Sequence, residues 1–101
     1  MIIYNVTTKV NHSIAKDWLE WLKKEYNPAM MQTGCFTHAV ICHLADLDDA
    51  EGITYAVQYH ADDEETYKRF HKMYDHTMQK MSLDKWQNNY ISFRTMMKVV
   101  N

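Results

Sequence analysis

The stretch FTHAVICHLADLDDAEGITYAVQY, residues 36–59, contains two alternating runs joined by an acidic loop. In the first run Phe36, His38, Val40, Cys42 and Leu44 share one side, and Thr37, Ala39, Ile41 and His43 the other. In the second, Ile53, Tyr55, Val57 and Tyr59 alternate with Thr54, Ala56 and Gln58. Period-two patterning is the signature of a half-buried strand, and two such runs around a loop carrying Gly52 predict a β-hairpin.

What flanks the hairpin sets the rest of the fold. Upstream, Ile2, Tyr4, Val6 and Val10 alternate with polar residues and predict a first strand. Ser13 follows as a helix cap, and Ile14, Ala15, Trp18, Leu19, Trp21 and Leu22 fall within one arc of an amphipathic helix. Downstream, Asp62 to Glu65 occupy a first helical turn, where the macrodipole favours negative charge. Thr66, Tyr67, Phe70, Met73, Tyr74, Thr77, Met78 and Met81 line the inner face of that helix. Lys68, Lys72, Asp75, His76 and Gln79 form its wet side, and SLDKWQNN connects it to a last alternating run, YISFRTMMKVV.

The order is β-α-β-β-α-β, the split βαβ of a ferredoxin-like α+β domain spanning residues 1–101. Both helices then cover one sheet face. Taking the less apolar side of each strand, the second face collects Asn5, Thr7, Thr37, Ala39, Ile41, His43, Thr54, Ala56, Gln58, His60, Ser92 and Arg94. Such a mixed surface suits pairing with a second copy through the sheet.

Composition excludes several classes. The 101 residues carry a formal net charge of -2 with both signs interspersed, which argues against a nucleic-acid footprint. Although 47 % of residues are hydrophobic, no run approaches the roughly 20 apolar residues that span a bilayer. The opening MIIYNVTTKV lacks the basic segment of a signal peptide, so a cytoplasmic protein with reduced Cys35 and Cys42 is expected. With two glycines, neither a phosphate loop nor a nucleophile elbow can be built. The histidines show no two-ligand spacing: His38 and His43 have opposite strand parity, and His71 and His76 are five apart on a helix. No metal and no cofactor is expected.

The opening MIIYNVT, the pattern formed by Pro28, Met31, Thr33, Gly34 and Phe36, the strand GITYAVQY and the tail FRT resemble a small bacterial domain-of-unknown-function family. That family is similar to a branch of the dimeric α/β-barrel superfamily, which includes antibiotic-biosynthesis and haem-degrading monooxygenases. The resemblance implies two protomers packed sheet to sheet, each with a cavity between helices and sheet. Haem-degrading members use an Asn on strand one with a Trp and a His on helix two. Here Asn5 falls on the face away from the helices, Phe70 stands near the expected Trp, and neither His71 nor His76 matches securely.

Candidate site residues come from facing. Pro28 is expected to stop or kink the first helix near Tyr26, with a short turn from Pro28 to Gln32 ending at Gly34. Glu25, seven residues after Trp18, then projects into the apolar arc, where a carboxyl group is held protonated more readily. His38, sharing a side with Phe36 and Val40, is expected to face the helices, and His71 to lie at the rim of helix two's apolar stripe. These residues yield three readings. In the first, a small apolar or aromatic ligand sits near Trp18, Tyr55 and His71. In the second, a cofactor-independent monooxygenase or isomerase uses Glu25 or His38 for proton transfer. In the third, a structural dimer has a closed core.

Overall fold

A computed structural model describes all 101 residues. The elements are β1 (Ile2–Val10), α1 (His12–Trp21), a π turn (Leu22–Tyr26), α2 (Asn27–Gln32), β2 (His38–His43), β3 (Ile53–Ala61), α3 (Glu64–Met73), α4 (Asp75–Trp86) and β4 (Tyr90–Lys98). The four strands form one antiparallel sheet in the order β2-β3-β1-β4. This is the ferredoxin-like arrangement expected from the element order, with the hairpin at one side. No helix is long and apolar enough to cross a membrane.

The core lies between the sheet and the helices. Tyr4, Phe36, Tyr59 and Phe70 form an aromatic cluster with ring centroids 4.8 to 6.3 Å apart. At the mouth of the hairpin, a Cβ on Gly52 would stand 2.5 Å from the carbonyl oxygen of Val10. Only glycine fits where β3 begins against the end of β1.

The first helix does not stop at Pro28. Asn27 keeps helical dihedrals, φ -63° and ψ -40°, and its amide reaches back five residues to the Leu22 carbonyl. The proline removes the next donor, and the wider turn absorbs that loss without ending the helix. The extra residue changes what faces inward: Trp18, Leu22, Tyr26 and Met30 follow one another at steps of four. Glu25 is thereby rotated out to solvent. Gly34, at φ +74°, ends α2 as expected. Asn11, not Ser13, is the N-cap of α1, and its side chain makes no capping bond.

Helix two is two helices. Tyr74 leaves helical geometry at φ -126°, and α4 starts at Asp75 with a new phase. Asp75 is buried, against the wet side expected for it. Ser82 to Trp86 are helical where a connector was expected, which leaves only Gln87 to Asn89 as the link to β4. Asp63 caps α3, accepting the Thr66 amide at 2.8 Å and its hydroxyl at 2.7 Å. These bonds hold the Asp63 carboxyl below the usual range.

Both edge strands present the side opposite to the one expected. Direct pairing places Ala39 opposite Tyr59 and Ile41 opposite Val57, so these face the helices. On β4, Ser92 and Arg94 lie opposite Thr8 and Val6, also on the helix side. The open face therefore carries His38, Val40 and Cys42 from β2 and Ile91, Phe93 and Met97 from β4. Phe36 is buried but precedes β2, and the chain between it and Ala39 passes through two exposed residues. That irregular step reverses the parity read from Phe36. On β4, the apolar side faces away from the helices, against the assumption that it would face them.

Candidate functional site

A small cleft lies between the helices and the sheet. The cavity itself has a volume of about 20 Å³, room for about one water. The four-residue rhythm of the first helix brings Trp18, Leu22 and Tyr26 to its wall. Val6, Thr8, Ser92 and Arg94 come from β1 and β4, Val57 and Tyr59 from β3, and Ser82 from α4.

The wall is apolar with a few polar groups. Trp18 is 3 % exposed, and its indole Nε1 has no hydrogen-bond partner. The hydroxyls of Thr8 and Ser92 bond to each other at 2.8 Å. Arg94 is exposed on the edge strand, with no carboxylate within ion-pair distance. Burial pushes the Tyr26 phenol well above its ordinary pKa, against the opposing pull of Arg94. Burial likewise raises Tyr59, whose hydroxyl donates to Asn27 Oδ1 at 2.6 Å.

Where α3 breaks into α4, a second polar cluster forms. Asp75 accepts from the Tyr4 hydroxyl at 2.9 Å, from His71 Nδ1 at 3.1 Å and from Gln79 at 3.1 Å. Burial first, and the Asp75 charge second, keep the Tyr4 phenol protonated. Asp75 is buried while the His71 side chain is 67 % exposed, so a shielded carboxylate orients an accessible imidazole. The charges of Asp75 and Arg94 both reach Tyr26.

The expected site residues divide accordingly. Trp18 lines the cleft, and Tyr55 stacks on Trp18 from outside it with centroids 5.5 Å apart. His71 joins the Asp75 cluster. Glu25 borders a separate, open cleft on the outer surface with Lys24, Lys85 and Trp86. His38 lies on the open sheet face, stacked on His60 at 4.1 Å, instead of facing the helices. Arg69, 34 residues from Cys35 in sequence, donates to its buried thiol at 3.6 Å. No three metal-ligating side chains converge.

Four residues of these clusters carried no site signal in sequence reasoning: Tyr26, Asp75, Ser92 and Arg94. The four-step repeat from Trp18 to Met30 was the available sign of Tyr26. A lone arginine inside a strand otherwise rich in apolar residues was that of Arg94.

The fold and cleft define the class: an α+β protein of ferredoxin-like architecture with a pocket between its layers. The chain belongs to the family described as Domain of unknown function (DUF4286), which it matches over residues 1–100. No curated protein matches it in sequence.

Solved structures resemble it in fold. A dimeric ferredoxin-like protein from an uncultured marine organism superposes with a TM-score of 0.76 at 10 % identity, covering 99 % of this chain and 95 % of its own. A second protein of that description, also from an uncultured marine organism, gives 0.71 at 13 % identity, covering 100 % and 96 %. An ethyl tert-butyl ether D (EthD) family protein from Bacillus halodurans gives 0.68 at 8 % identity, covering 99 % and 100 %.

Proposed function

We propose that this protein is a homodimer, paired through its open sheet face, that binds a small molecule in each helix-to-sheet cleft. The observation that carries the binding reading is Trp18: a residue lining the cleft whose buried indole N–H has no partner. A buried donor left unpaired costs about 1–3 kcal/mol, which a ligand acceptor recovers. The cavity is only about 20 Å³, so binding requires the lining side chains to move apart.

Pairing is supported by the open face itself. Phe93 and Ile91 on β4 and Val40 on β2 are 65 %, 55 % and 41 % exposed there, and exposed large apolar side chains on an uncovered sheet face suit an interface. Similar folds described as dimeric favour a second copy as the occupant. A two-fold axis would set each sheet on its mate and leave both clefts facing outward.

The test follows the indole N–H resonances in an ¹⁵N-labelled sample, with Trp18 assigned through Trp18→Phe. Aromatic acids, alcohols and amines are added singly. The expected result is that at least one moves the Trp18 signal ahead of the Trp86 signal. If none moves it, the cleft is not a binding site.

A second reading, an isomerase or oxygenase, is favoured by the His71–Asp75 pair. A carboxylate-oriented imidazole is equipped for proton transfer. Any turnover found should then be lost in His71→Gln while ligand affinity persists.

A further inference from the structure

Two imidazoles lie face to face on the open side of the sheet. His38 and His60 are direct partners on β2 and β3, their rings stacked with centroids 4.1 Å apart. Both ring nitrogens of His60 are shut off from solvent and bond to nothing. A neutral imidazole tolerates that position better than an imidazolium, which brings into it a charge and a second N–H donor. Burial first, and the His38 ring second, accordingly hold the His60 pKa below its ordinary 6.5.

The surroundings offer no counter-charge. None of the four strands turns an Asp or Glu to this face, and the neighbours of His60 across β1 and β4 are Ile3 and Met97. Lys9 and Cys42 are the other titratable residues of the face, and amines and thiols ordinarily titrate above neutral pH. Lys9 lies at the end of β1 far from His60, with Glu51 at 3.6 Å. Asp62 and the Met1 amine stand just past the ends of β3 and β1, and what acts on His60 is burial and His38. A two-fold partner presents the same residues, so it brings a second histidine pair and a second Lys9 but no carboxylate.

We propose that the sheet-to-sheet dimer is acid-labile: protons taken up by the His38–His60 pair of each protomer drive the two copies apart. The inference rests on the dimer reading above. Association covers the imidazoles further, so the free protomer binds protons more readily than the associated one. The sign follows from linkage. Association is at full strength above the free protomer's His60 value, which lies below 6.5, and weakens as pH falls past it. The two-fold axis doubles the effect, because each copy contributes one pair.

Sedimentation velocity over a concentration series tests this at about pH 7.5 and about pH 5, either side of the histidine range. Near-ultraviolet dichroism shows that the protomer is folded at both. The dissociation constant is expected to rise by about tenfold or more at the lower pH; one proton gained per protomer gives up to about a hundredfold per pH unit. His38→Gln and His60→Gln together should level the two constants. A constant that pH leaves unchanged in the native protein, or a pH dependence that survives the double variant, would overturn the proposal and leave the dimer standing. A monomer at every concentration and at both pH values would remove the dimer itself, and the proposal with it. If the double variant does not associate, dilution calorimetry of the native dimer in buffers of different ionisation enthalpy counts the protons directly. Net uptake on separation is expected, and none would overturn the assignment.

Discussion

The hydroxyl of Tyr4 on β1 donates 2.9 Å to the buried carboxylate of Asp75, 71 residues away at the start of α4. One bond thus ties the centre of the sheet to the break between α3 and α4. Tyr4→Phe keeps the ring and its aromatic contacts but leaves Asp75 short of a donor. The expected loss is about 1–3 kcal/mol of folding stability, read from urea unfolding. A midpoint equal to the parent's would show that the bond stabilises nothing.

The π turn is one residue longer than the helix around it needs. Removing Lys24, which is exposed, should close Leu22–Tyr26 to ordinary helix and carry the tyrosine into the position that Glu25 would otherwise occupy. The deletion is expected to fold, with Tm lowered less than by deletion of Ala15 in α1, which shifts the phase of a regular helix. Equal damage from both deletions would contradict the account of the turn.

Phe93, on edge strand β4, is the exposed aromatic of the proposed interface. Withdrawing one Phe from water gains roughly 2 kcal/mol, and a two-fold axis counts it twice. Phe93→Asp should therefore weaken pairing by about a thousandfold or more. Sedimentation velocity over a concentration series would read this as a shift from dimer to monomer. A native protein that sediments as a monomer throughout would rule the dimer out.

His60 should make the protein acid-sensitive. Desolvation first, and the His38 ring second, lower its folded pKa below the ordinary value of 6.5, and both its ring nitrogens lack partners. The unfolded chain then binds a proton more readily, so stability is full above pH 6.5 and falls as pH drops through the lowered folded value. Urea midpoints should decline on mild acidification, and His60→Gln should flatten that slope. An unchanged slope in His60→Gln would place the sensitivity elsewhere.

The fold was legible because β1, β3 and the inner face of α1 each show one unbroken period. The site was less so, for three physical reasons. Pro28 suggested that the helix stops or kinks near Tyr26, and the chain responded with a π turn there that exchanged Glu25 for Tyr26 at the cleft wall. Tyr74 interrupted a helix whose apolar stripe looked continuous, which turned Asp75 inward. On β2 and β4, apolar residues alternate as they would on a core-facing side, but a surface meant for a partner has the same pattern. Composition cannot distinguish a helix-covered face from a partner-covered one, so Arg94 and Ser92 were read onto the wrong side.

A crystal structure of the protein as purified from cells tests the central claim most directly, through the density beside Trp18. The account expects two copies related by a two-fold axis through their sheets, with the cleft opened around a bound molecule that accepts from the indole N–H. A cleft closed by side chains, with the Trp18 nitrogen bonded to a protein acceptor, would contradict it.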